Sequence, residues 1–81
     1  MSKSGYVHDM LINIRSMNEK DKEKLIKLAK TSIFYELRRA AVTKIHDDEI
    51  LLEIAKTDKN FSVRITAIDF IKKMIKFYRN S

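Results

Sequence analysis

Residues 25 to 45 and residues 51 to 71 carry one pattern 26 positions apart, and this period restricts the possible folds more than any other feature. The shift places Leu25, Ala29, Lys30, Thr31, Arg38, Ala41 and Ile45 on identical residues at Leu51, Ala55, Lys56, Thr57, Arg64, Ala67 and Ile71. Elsewhere one apolar side chain replaces another: Ile26 by Leu52, Leu28 by Ile54, Tyr35 by Phe61, Leu37 by Val63 and Val42 by Ile68. A fixed period of this length marks a repeat architecture, in which each unit buries its apolar face against its neighbour.

The repeated segments read as helices. Proline is absent and Gly5 is the one glycine, so nothing interrupts a helical reading from Tyr6 onward. With 44% apolar and 35% charged residues in 81, the chain has the composition of one small globular domain, and an all-α fold is expected. It holds no cysteine, which removes disulfides and thiolate chemistry. It shows neither an apolar run of about 18 residues nor the apolar segment of a secretory leader, so a cytoplasmic protein with no membrane partner is expected.

Apolar spacing divides the chain into five amphipathic stretches. Residues 1–5 read as a frayed tail and residues 6–19 as an N-terminal capping helix with Val7, Met10, Leu11, Ile14 and Met17 on one face. Residues 20–46 form the first repeat, its opening helix capped from Asn18 or Asp21, with a second helix from Ile33 or Phe34 to Ile45. Residues 47–81 form the second repeat, in which Asp47 or Asp48 caps one helix. An extended C-terminal helix follows and places Val63, Ala67, Ile68, Ile71, Met74, Ile75 and Tyr78 toward the core.

The run Ala41-Val42-Thr43-Lys44-Ile45-His46-Asp47-Asp48, continuing through Ile54-Ala55 to Asp58 and followed by Val63-Arg64 and Ala67, resembles the short HEAT-like repeats of α-solenoids. The resemblance covers residues 25 to 71 and implies a short right-handed solenoid of antiparallel helix pairs. It also implies that the second helices line a binding surface and that the turn aspartate pairs with an arginine of an adjacent unit. In this chain Asp58 is such an aspartate, with Arg38 or Arg64 as its partner, whereas Ser32 stands at the equivalent turn of the first unit. A partly exposed pair of this kind contributes about 0.2–1 kcal/mol. The repeats serve many roles, so the family implies a scaffold more than an activity.

Catalytic groupings are missing from the pattern. His8 and His46 lack a second ligand at helical spacing, no Ser, His and acid set is apparent, and no glycine-rich loop could cradle a phosphate. A chain without enzyme activity, cofactor or metal is expected. The net charge of +6 favours acidic partners, but it is unevenly spread: residues 47–60 are net acidic, whereas residues 21–46 and 61–81 are strongly basic.

These features lead to a protein-interaction module that binds through its second helices. Arg38, Arg39, Lys44, Arg64, Lys72, Lys73 and Lys76 would supply charge, and Phe70 and Phe77 an apolar anchor. The partner would be an acidic protein or a second copy docked on the C-terminal helix. A nucleic acid held through its phosphates is the alternative, and a fragment of a longer repeat array is a third reading. Ser32 against Asp58, Arg39 against Ile65 and Lys44 against Phe70 mark where the two copies disagree and where function would sit.

Overall fold

A computed structural model describes residues 3–79, with side chains to residue 76. The described residues form five α-helices: α1 (Lys3–Ser16), α2 (Lys22–Thr31), α3 (Tyr35–Val42), α4 (Asp48–Thr57) and α5 (Phe61–Arg79). Helix α2 packs along α3 and α4 along α5, giving two helix pairs, called unit 1 and unit 2 below. Helix α3 lies between α1 and α5, while α2 meets α4. Two layers result, α1, α3 and α5 in one and α2 and α4 in the other. The molecule measures 46 × 27 × 17 Å, its thinnest dimension being that of two packed helices.

Local chemistry explains where the helices start. Asn18 and Asp21 form a capping box around a 3-10 turn at residues 19–21: Asn18 Oδ1 accepts from Lys20 N at 2.9 Å, and Asp21 Oδ2 accepts from Asn18 N at 3.1 Å. The α4 cap is Asp47 and not Asp48, since Asp47 Oδ1 accepts from both Glu49 N and Ile50 N. Asn60 Oδ1 does the same for α5, taking Ser62 N at 2.8 Å and Val63 N at 3.3 Å.

Helix boundaries differ from the sequence expectation at both ends of α1, which stops at Ser16 and not at residue 19, and at the end of α3. Helix α1 begins at Lys3, so residues 3–5 of the expected tail are helical, while residues 1 and 2 lie outside the described residues. Lys3 is held from another helix, its Nζ standing 3.5 Å from Glu36 Oε2 on α3, while the Tyr6 ring lies 5.5 Å from that of Phe34. Helix α3 stops at Val42 and does not reach Ile45. Lys44 N and Ile45 N bond three residues back, to Ala41 O and Val42 O, and Thr43 Oγ1 donates to Ala40 O, so the last turn tightens before α4. Ile45 is nonetheless buried.

The 26-residue period is a structural one, because the bonds repeat with it. Thr31 Oγ1 donates to Lys27 O and Thr57 Oγ1 to Glu53 O, each at 2.7 Å. Ser32 N and Asp58 N bond Leu28 O and Ile54 O. Ser32 Oγ accepts from Phe34 N and Asp58 Oδ1 from Asn60 N. Arg38 Nη1 donates to Ser32 O at 2.8 Å and Arg64 Nη1 to Asp58 O at 2.7 Å. One continuous core joins the elements, built from Val7, Ile14, Leu25, Ala29, Leu37, Ala41, Val42, Ile45, Leu51, Ile54, Val63 and Ala67.

Candidate docking site

The basic residues expected to form one binding surface separate into two groups. Arg38 is not available to a partner. Its Nε and Nη2 donate to Asp58 Oδ2 and Oδ1 at 2.9 and 3.2 Å, and the two side chains are only 6% and 7% exposed. The Asp58 pairing is therefore buried and bidentate, whereas a partly exposed pair was expected from sequence, and it joins unit 1 to unit 2. Lys44 is also engaged: its Nζ donates to Arg15 O and to Met17 O, the second at 2.8 Å. These carbonyls belong to the end of α1 and the turn after it, where a cation satisfies acceptors that no helical N–H reaches.

The other cations face outward. Arg39 is exposed and donates to Ser62 Oγ at 2.9 Å across the α3–α5 boundary. Lys72, Lys73 and Lys76 are exposed on α5. Arg64 is half-buried, its guanidinium 5.9 Å from the centre of the Phe61 ring. Phe70 is not a free anchor: it is half-buried against the core with Lys73 Nζ 4.6 Å above its ring. The side chain of Phe77 lies outside the described residues.

What the periodicity misplaced is the apolar side of α5. Ile68 and Ile75 were expected in the core but are 36% and 52% exposed. Leu52 on α4 is 47% exposed, and Ile65 is exposed beside Arg64. The reason lies in the repeat. Val42, the counterpart of Ile68 in unit 1, is 0% exposed, and it stands one helical turn from Arg38 on the side that reaches unit 2. Among the described residues, no helix follows unit 2, so the corresponding side of α5 is open. The 26-residue shift contained this signal: a position that faces the next unit in unit 1 must face outward in the last one.

Arg64, Ile68, Ile71 and Ile75 follow one another at helical spacing along this side of α5. Beside them, Asp48, Glu49, Leu52, Ile71, Met74 and Ile75 surround a shallow depression of about 200 Å³. The face thus has an apolar run with Arg64 at one end and two carboxylates, Asp48 and Glu49, at the other. His8 and His46 are exposed, and neither lines this depression. Among the described residues, no group of three or more His, Cys, Asp or Glu side chains could hold a metal ion, and no helix is long and apolar enough to cross a membrane.

Fold and site together define an all-α protein of five helices, two of whose helix pairs repeat, with an open apolar and basic face at the end of the second pair. No protein-family model matches the chain, and no curated protein or solved structure is significantly similar to it.

Proposed function

We propose that the chain is a non-catalytic protein-interaction module of the HEAT-like α-solenoid class, which binds its partner through the outer face of unit 2. One observation carries this reading. Ile68 is open although its counterpart Val42 in unit 1 is fully buried on the side of the following helix pair, and Leu52 and Ile75 are exposed as well. An apolar patch of this kind, with Arg64 at one end and Asp48 and Glu49 at the other, is the form of a protein-docking surface. The engagement of Arg38 and Lys44 within the fold supports the choice of a protein over nucleic acid, because it removes two cations from the phosphate-binding stripe.

The test is capture with the double variant Leu52→Glu, Ile68→Glu. A partner recovered by the wild-type chain from nuclease-treated extract should be lost with the variant, while the helical circular dichroism of the two chains stays equal. Retention of every wild-type partner by the variant overturns the reading. Binding that needs nucleic acid, and that weakens steeply between about 50 and 200 mM salt, would favour a phosphate ligand instead.

A further inference from the structure

We infer that the face at the end of unit 2 takes a helix pair of a partner protein bearing a carboxylate at its inter-helix turn, and that Arg64 is the residue that binds this carboxylate. The inference rests on the interaction-module reading and adds the chemistry of the partner.

It follows from the two arginines. Arg38 divides its donors: Nη1 holds the turn carbonyl of its own unit at Ser32, and Nε with Nη2 form a fork on Asp58 of the following unit. Arg64 makes the first of these contacts, Nη1 to Asp58 O at 2.7 Å, so its guanidinium is oriented by the same bond. Among the described residues it forms no ion pair, and its Nε and Nη2 have no acceptor. The fork is already positioned for the carboxylate of a following unit, which none of the described residues supplies. A planar guanidinium held in this way favours bidentate carboxylate binding, and preorganisation lowers the entropy cost. Beside it, Ile68 and Leu52 offer the apolar contact that Val42 and Ile26 offer on the inner side, where Val42 is buried and Ile26 packs against the core.

Other occupants fit less well. A second copy stacked by its first unit presents Ser32 where the carboxylate is needed, and its Asp58 is already held by Arg38. A phosphate backbone would meet Asp48 and Glu49 at one end of the face and isoleucine along its length.

The test uses the full chain with a known probe, a copy of its own residues 47–71 tethered to the C-terminus by a flexible Gly/Ser linker, which raises the effective concentration to about millimolar. Docking is read from amide protection in the tethered copy and from the NMR resonance of Arg64 Nε–H. Docking should shift that resonance. Arg64→Gln, or Asn in place of the Asp58 equivalent in the copy, should each lower the protection about tenfold or more, with little further loss when combined. Arg64→Lys, which keeps the charge without the fork, should restore only part of it. Loss of docking in Ile68→Glu with indifference to Arg64→Gln would sink the carboxylate inference and leave the interaction-module reading intact. A tethered copy that never docks overturns the inference alone, since capture with the Leu52→Glu, Ile68→Glu chain judges the broader reading. A dimer of the untethered chain that Ile68→Glu dissolves would make a second copy the occupant and overturn it too.

Discussion

Arg38 and Asp58 meet across the boundary between the two units, Nε to Oδ2 at 2.9 Å, with both side chains almost wholly out of solvent. The pair lies 20 residues apart in the chain and joins α3 to the turn before α5. Asp58 also accepts from Asn60 N, and Arg38 from its other arm holds Ser32 O, so the pair ties two inter-helix turns to each other.

Removing one partner leaves a buried charge without its counterion. Arg38→Ala or Asp58→Ala is therefore expected to destabilise the fold by about 3–5 kcal/mol, with less additional loss in the double variant than the sum of the two. Urea unfolding of the two single variants and the double variant measures this coupling. Additive effects would show that the pair does not act as a unit.

Leu51 and Leu52 are neighbours with opposite environments, one 0% and the other 47% exposed. Leu51→Ala should cost about 2–5 kcal/mol through lost burial and the cavity left behind, whereas Leu52→Ala should stay within about 0.5 kcal/mol for the chain alone. Thermal and urea unfolding would separate them. Equal losses would mean that the outer face is covered in solution.

Asp47 accepts two helix N–H groups, and Asp48 caps none. Asp47→Ala is expected to lower stability by about 1 kcal/mol and Asp48→Ala by less than half of that. The same denaturant series measures both, and a reversed order would refute the assignment of the cap.

Lys44 fastens the end of α1 by donating to Arg15 O and Met17 O. Lys44→Met keeps the apolar stem and removes the donors, so amide exchange in α1 should quicken severalfold while exchange in α4 is little changed. A uniform change across all helices would instead indicate global destabilisation.

Much of the fold was legible in the sequence because it is set by local rules. Apolar residues at helical spacing placed Val7, Ile14, Val63 and Ala67 on the core side, and they are buried. Asn18, Asp21 and Asp47 were legible as capping residues because a short polar side chain satisfies nearby N–H groups within two or three residues. The site was less legible. Of the three disagreements between the copies singled out above, Ser32 against Asp58 and Lys44 against Phe70 are absorbed by the fold, and Arg39 against Ile65 remains at the surface.

By itself the sequence determined the helix pairs, the cap at Asp47 and the equivalence of positions 26 residues apart, because each depends on neighbours within a turn or two or on comparing one unit with the other. Only the tertiary structure decided that Arg38 takes Asp58 while Arg64 is left with an open fork, that Lys44 reaches α1, and that Ile68 and Ile75 face outward. The physical reason is that equivalent residues share a local conformation but not a neighbour. Unit 1 is followed by another helix pair and unit 2, among the described residues, is not, so an equivalent side chain is buried in one unit and exposed in the other.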